Sequence, residues 1–272
     1  MSALFSEQFQ TIVYEYYDKS GRHDLVWRKA DADGSYDPYK ILVSEIMLQQ
    51  TQVPRVVPKY EEFIAHFPNI VSLADAPLGD VLRLWNGLGY NRRAQYLHRS
   101  AQEIIKTMAG RFPRTTAELI TLPGIGNNTA GAILAYSFNQ PIIFIETNIR
   151  TVFIHHFFQG VDQVSDADIL KLVEEMIDRD NPRQWYWALM DYGSHLKHSV
   201  GNPNTASKLY VKQSKFQGSR RQLRGQIIRQ LKTQSLSLEE LQAHIIDDRL
   251  GAVISQLVAE QLIKQVGDRF SL

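Results

Sequence analysis

The run LPGIGNNTAGAILAY, Leu122–Tyr136, narrows most sharply what this chain can fold into. Helical periodicity breaks at Pro123, glycines follow at positions 124 and 126, and an alanine-rich helical pattern restarts at Asn127 or Asn128. Glycine lets the main chain turn tightly and be approached closely, and a helix start leaves N–H groups pointing outward. A helix ending near Ile120, this turn and the next helix therefore make a sequence-neutral phosphate grip, a helix-hairpin-helix. Leu122, Gly124, Ile125 and Gly126 would face the backbone of a nucleic acid. The carbonyls of Ile120, Leu122 and Ile125 could hold a monovalent cation, Na+ or K+, bridging to the phosphate. A glycine turn alone usually only reverses the chain; embedded in LPGIGxxTAGAI it is far more specific.

The remainder also reads as helical, and an all-α fold is expected. Ser165 has the character of an N-cap, followed at helical spacing by Ile169, Leu172, Val173, Met176 and Ile177. Ile41, Leu42, Ile46 and Leu48 mark another helix, and Leu82, Leu84, Trp85 and Leu88 a further one. Residues 199–219, rich in Gly, Asn, Ser and Lys, read as a linker. Beyond it come three short helical patterns: Leu223, Ile227, Ile228 and Leu231; Leu238, Leu241, Ile245 and Ile246; and Val253, Ile254, Leu257 and Val258. Two strands turning at Gly267-Asp268 then complete a winged-helix pattern over 220–272.

Composition excludes several chemistries. With 272 residues and 44% hydrophobic content there is chain enough for a sizeable core, but there is no cysteine. A disulfide scaffold, a thiolate metal site and a cysteine nucleophile are thereby ruled out. No apolar run is long enough to span a membrane, and the start MSALFSEQFQ lacks the form of a secretory signal, so a cytoplasmic protein is expected, nucleoid-associated if bacterial. The net charge of +1 hides an uneven distribution. Between Tyr192 and Leu238 there is no Asp or Glu, but nine basic residues: Lys197, Lys208, Lys212, Lys215, Arg220, Arg221, Arg224, Arg229 and Lys232. Such a block beside an acidic remainder is the footprint of an anionic partner, most simply nucleic acid, unless it is only a solvated basic linker.

Two carboxylates stand out. Glu45, in SEIMLQQTQV, sits beside the apolar face of its helix, where burial raises a pKa and suits a general acid. Glu146 follows four apolar residues in PIIFIETNIRTVF. Paired carboxylates serve glycosidic cleavage, one protonating the leaving group and the other stabilising an oxocarbenium ion. Either residue could instead be ordinary, Glu45 on a helix surface and Glu146 at a helix start. Gln49, Gln50 and Thr51 are able to probe base edges. Tyr90, in WNGLGYNRRAQYL, lies before Arg92 and Arg93, an arrangement suited to base stacking with phosphate contacts.

Taken together, these motifs resemble the helix-hairpin-helix DNA glycosylase superfamily, most closely the MutY-type adenine glycosylases. The match runs from about Leu25 to Gly193 through VWR, DPYKILVSEIMLQQTQV, LWNGLGY, LPGIGNNTAGAIL, IETNIRTV and ALMDYG. The resemblance implies a two-lobed fold: a lobe of 1–24 with 138–198, a central domain 25–137 carrying the hairpin, a basic linker 199–219 and the winged-helix module 220–272. It implies a monomer acting on double-stranded DNA with a mismatch or oxidative lesion, with no membrane partner. Glu45 matches the acid that protonates adenine. Trp27, Arg28 and Asn148 match residues of the base pocket, Gln50 and Thr51 match residues probing the opposite base, and Asp191 matches the Asp of a late helix.

The departures carry information too. Glu146 stands where the family has aspartate; one more methylene moves the carboxylate by about 1.5 Å unless the backbone compensates. Asn128 replaces the lysine of bifunctional relatives, so no Schiff base and no β-lyase step are expected there. Trp187 stands where the pocket commonly has Gln or Glu, and Thr147 replaces a usual Gly. The four cysteines of the family's iron–sulfur cluster are missing, so no cluster is expected. The third helix of the winged-helix pattern, Asp247–Glu260, is not basic, and phosphate contacts fall instead to Lys215, Arg220, Arg221 and Arg224. Adenine opposite 8-oxoguanine or guanine is the expected substrate. A thymine or uracil mismatch, or lesion binding without catalysis, stays open.

Overall fold

The computed structural model describes residues 3–272, with side chains from residue 6 onward. The chain folds as two units, each of which packs chiefly within itself. One comprises Met1–Ile41, Arg114–Thr121 and Ile125–Lys212; the other comprises Leu42–Pro113, Leu122–Gly124 and Gln213–Leu272.

The first unit is built from α1 (Ala3–Ser20), the start of α2 (Pro38–Leu48), α7 (Thr116–Leu119), α8 (Asn127–Phe138), α9 (Thr147–Phe157), α10 (Asp166–Met176) and α11 (Pro182–Ser199). Helix α11 packs against α9, α1 and α8. Phe9 meets Phe153 and Trp185 edge-on at centroid distances of 5.4 and 5.8 Å, and Val13, Ile149, Tyr186 and Leu189 complete a dry centre. The expected N-cap at Ser165 is present: its hydroxyl accepts from the Asp168 amide. Residues 202–208, expected as linker, are instead folded onto this unit. Pro203–Ala206 form a 3-10 turn, the Val164 amide donates to Ala206 O, and the Lys208 amide donates to Val164 O. Asn204 and Ser207 are buried, which a free linker would not allow.

The second unit contains the rest of α2, α3 (Val53–His66), α4 (Ile70–Asp75), α5 (Leu78–Trp85) and α6 (Arg92–Met108), followed by α12 (Arg220–Gln230), β1 (Leu236–Ser237), α13 (Leu238–His244), α14 (Leu250–Ala259), β2 (Lys264–Val266) and β3 (Arg269–Ser271). Helix α6 buries Ala94, Leu97, Ala101 and Ile104 against α4 and α5. The strands form an antiparallel sheet in the order β1-β3-β2, the arrangement of a winged helix, with β1 the one strand the sequence pattern missed. Ile246 departs from expectation. Helix α13 stops at His244, and Ile246 is 99% exposed rather than part of the core.

These units differ from the expected boundaries. Residues 25–41 and 125–137 belong with the N- and C-terminal parts of the first unit, and the winged-helix module belongs with α3–α6. Its docking is specific. Arg92 of α6 and Arg224 of α12 both pair with Glu260, Gln95 Nε2 donates to Glu260 O at 2.8 Å, and Arg83 Nε donates to Lys232 O at 3.0 Å. No helix of the described residues is long and apolar enough to cross a membrane.

Candidate active site and nucleic-acid interface

The candidate residues fall into two sets, one in each unit. In the first unit, Glu146 is the N-cap residue of α9, yet its side chain makes no capping hydrogen bond. Nor does its carboxylate form any hydrogen bond or ion pair among the described residues. Burial pushes its pKa up, while the charges of Lys197 and Arg150 pull it back. Arg150 is already neutralised by Asp166, in a two-pronged pair at 2.8 and 2.7 Å. Lys197 has no carboxylate within ion-pair distance among the described residues; its ammonium donates to Asn148 Oδ1 at 2.8 Å. Burial lowers the Lys197 pKa, against the opposing pull of Glu146.

The backbone that carries Glu146 is held from several sides. Asn204 Nδ2 donates to Thr147 O (3.2 Å) and Thr151 Oγ1 (2.6 Å), gripping the first turn of α9. Asn128 Oδ1 accepts from the Ile145 amide at 3.4 Å. Gly193 lets α11 approach closely, because a Cβ there would stand 2.2 Å from Asn148 O. Asn128 thus meets the residue before Glu146, and Asn148, two residues after it, holds the Lys197 ammonium. Lys197 and Asn204 were missed. Lys197 reads as one more member of the basic block, and Asn204 as linker, because neither partner is local.

Trp27, Arg28 and Trp187 also lie in this unit. Trp27 and Arg28 form a short 3-10 turn, and Arg28 is committed inward, with Nη1 2.8 Å from Asp191 Oδ2 and Nη2 2.9 Å from Asp191 Oδ1. Its guanidinium holds the Val26–Arg28 turn on α11. Burial pushes the Asp191 pKa up, but hydrogen bonds and charge from Arg28 and Arg22 outweigh it and hold the carboxyl below its ordinary value. Trp187 is 8% exposed, with Tyr136 stacked 5.8 Å from it and the Arg28 guanidinium 5.4 Å from its ring centroid. Its surroundings are largely structural.

In the second unit, Glu45 is half-buried on α2 between buried Ser44 and Ile46. Arg93, expected at phosphates, instead closes the C-terminus of this helix. Its guanidinium donates to Ile46 O, Met47 O and Gln49 O, and also to Thr51 Oγ1, Leu88 O and Gly89 O. Burial lowers its pKa to about 10. Arg93 is thus a hub joining the Gln49–Thr51 turn to the Gly89–Tyr90 turn. Both turns contain a left-handed non-glycine residue, Gln50 at φ 55° and Tyr90 at φ 48°.

Of the expected phosphate contacts, Lys215 and Arg220 are exposed and unpaired among the described residues, whereas Arg92 and Arg224 share Glu260. Arg221 donates to Tyr90 Oη and to Ser214 O. The basic block is therefore smaller in effect than in composition. Within the hairpin, Leu122 and Ile125 are buried and Gly124 is left-handed at φ 77°. Gly124 is also irreplaceable by contact, since a Cβ would meet the Tyr96 ring at 2.8 Å. Gly126, by contrast, has an ordinary φ of −97°, so its value lies in the space around it rather than in its backbone.

The segment after α11 offers no thiolate, and among the described residues no three His, Cys, Asp or Glu side chains converge as a metal site. It does not fit an iron–sulfur cluster.

Comparison with known proteins places this geometry. The HhH-GPD family model, described as a superfamily of base excision DNA repair proteins, matches residues 43–178. An adenine DNA glycosylase of Buchnera aphidicola subsp. Baizongia pistaciae is 37% identical over 216 residues, covering 77% of this chain and 60% of the relative. The adenine DNA glycosylase of Mycolicibacterium smegmatis is 30% identical over 280 residues, covering 94% and 93%. The chain thus spans about 60% of the length of the Buchnera protein and nearly all of the mycobacterial one. Among solved structures, a thermostable thymine-DNA glycosylase superposes with a TM-score of 0.60 at 22% identity, covering 70% of this chain and 86% of the other. A trapped endonuclease III–DNA intermediate superposes at 0.57 with 17% identity over 70% and 86%, a likeness of fold. The chain belongs to the HhH-GPD superfamily of base excision DNA repair proteins.

Proposed function

We propose that this protein is a monofunctional DNA N-glycosylase that extrudes a base from double-stranded DNA and hydrolyses its glycosidic bond. The substrate is adenine opposite 8-oxoguanine or guanine. The observation that carries the reading is Glu146: a desolvated carboxylate with no hydrogen-bonding partner among the described residues, in the field of Lys197 and Arg150. An anion left uncommitted in this way suits positive charge developing at an anomeric carbon. The names of the 30–37% identical relatives support adenine as the base.

In this reading Glu45 gives its proton to a ring nitrogen of the base, and the electrons of the C1′–N bond leave with the base. Glu146 stabilises the resulting oxocarbenium ion, and water adds at C1′, giving its proton to the Glu146 carboxylate, to leave an abasic site. Asn128 supplies no amine, so the strand stays intact. Leu122–Gly126 grip the backbone, and the carbonyls of Ile120, Leu122 and Ile125 would hold a monovalent cation that neutralises phosphate charge there.

The test is base release by purified protein from duplexes carrying A opposite 8-oxoguanine, A opposite G, T opposite G and U opposite G. Adenine release is expected, with Glu45→Gln and Glu146→Gln slowing single-turnover cleavage by about 10²–10⁴. Release of thymine or uracil would keep the mechanism and change the base. Tight lesion binding with no release from any duplex, unaltered by Glu45→Gln, would refute the enzyme.

A further inference from the structure

Gln50 and Tyr90 share an unusual property: each carries a side chain on left-handed backbone, at φ 55° and 48°. Such residues are disfavoured, persist only where neighbours hold them, and collect at functional sites. Here the holder is Arg93, which binds Gln49 O and Thr51 Oγ1 on one turn and Gly89 O on the other. The side chains so presented converge on a single amide. Gln213 Nε2 donates to Gln50 Oε1 at 3.2 Å and to Tyr90 Oη at 2.5 Å. Arg221 lies 5.3 Å from the Tyr90 ring centroid and donates to its hydroxyl.

Beside them opens a cleft of about 450 Å³, lined among others by Gln49, Gln50, Tyr90, Tyr96, Arg220 and Arg221. Neither Arg220 nor Arg221 pairs with a carboxylate among the described residues, whereas Arg92 and Arg224 on the same cleft are neutralised by Glu260. Amides, phenols and guanidinium groups with no carboxylate partner among the described residues form a stacking and hydrogen-bonding set suited to one unpaired nucleobase.

Position says which base. Glu45 stands in the last turn of α2, and Gln49 directly follows the helix four residues on, about 6 Å at helical rise. The cleft is therefore within one base pair's reach of the base that Glu45 protonates. Extruding that base strips its partner of its hydrogen bonds, and the groups of this cleft can replace them. We propose that Gln213 and Arg221 are specificity-determining residues that, with Gln50 and Tyr90, bind the base left unpaired opposite the excised one. A guanine-type purine fits best, because O6 and N7 match the Arg221 guanidinium fork once it releases Tyr90 Oη and Ser214 O. In the free protein the Gln213 amide engages Gln50 and Tyr90, and it exchanges them for the base edge when DNA enters. Opposite-base reading is thereby assigned to the segment before α12 and to α12 itself, and it rests on the base-excision reading above.

The test compares wild type with Arg221→Ala, Arg221→Lys, Gln213→Ala and Arg220→Ala in single-turnover release of adenine placed opposite 8-oxoguanine, guanine, cytosine or no base. Arg221→Ala should cut the preference for a guanine-type partner over a missing one by about tenfold. Gln213→Ala should cut it less, Arg221→Lys should recover only part of it, and Arg220→Ala should weaken all four duplexes alike. If Arg221→Ala and Gln213→Ala slow every duplex by one common factor, or change nothing, the proposal is overturned. Should the wild type release no base at all, the functional reading fails by itself. Equilibrium binding to duplexes with guanine or no base at the partner position then decides this one: a preference reduced by Arg221→Ala upholds it, and equal binding overturns it.

Discussion

Replacing Asp191 with asparagine removes the charge that allows Arg28 to be buried. The Arg28 side chain is 5% exposed and meets both Asp191 oxygens, whereas Arg22, the second partner, is a third exposed. Breaking a buried pair from one side costs about 3–5 kcal/mol, because the remaining charge is left without compensation. The Arg22 contact adds little, being screened by solvent. Against a total stability of about 5–15 kcal/mol, that loss is large. For a chain of this size it lowers the melting temperature by about 6–20 °C. Urea unfolding followed by tryptophan fluorescence measures it, since Trp27, Trp185 and Trp187 lie in the same unit as the pair. The pH dependence supplies a second readout. Because the folded pKa of Asp191 is depressed, its stabilisation is fully present above the ordinary aspartate range and is lost as pH falls through the folded value. The gap between wild type and Asp191→Asn should therefore narrow on acidification below about pH 4. A neutral-pH loss under about 1 kcal/mol, the yield of an exposed ion pair, would show that Arg28 is solvated and that the pair does not hold the Trp27–Arg28 turn.

Two further substitutions probe the setting of Glu146. Lys197→Met removes a cation that holds the Glu146 pKa down against burial, so the acidic limb of the single-turnover pH–rate profile should move to higher pH. An unmoved limb would mean that Lys197 has only a structural role. Gly193→Ala drives a Cβ into the Asn148 carbonyl, and it should cost about 1–3 kcal/mol and slow base release by displacing the first turn of α9. Thermal melts and cleavage rates measured together would check this, and a variant as stable and as fast as wild type would show that α11 is free to move away.

Much of this was legible in the sequence because it is local. The Leu122–Tyr136 turn, the Ser165 cap and the winged-helix strands each follow from residues a few positions apart, where turn chemistry and period decide the outcome. The charges are different. Nothing within a few residues of Arg28 announces Asp191, and nothing near Arg92 or Arg224 announces that both will share Glu260. A count of basic residues therefore overstated the cationic surface. Asn204 fails for the opposite reason: a segment of Gly, Asn and Ser has linker composition, and only its distant partners Thr147 and Thr151 make it structural. Ile246 shows the limit of periodicity, since its apolar spacing continues past the point where α13 has ended.

The docked winged helix has a kinetic consequence. A module on a loose tether finds its ligand as a second event, at an effective concentration set by tether length. Here Glu260 clasps an arginine from each side, and the main chain at Glu260 and Lys232 is held by Gln95 and Arg83. On the proposed reading, whatever α12 would present to DNA is already in place beside Gln50 and Tyr90 before any encounter. Its contacts would then come without the entropy of capture, and the module would act as one wall of a single recognition surface rather than a second hand reaching for the same duplex.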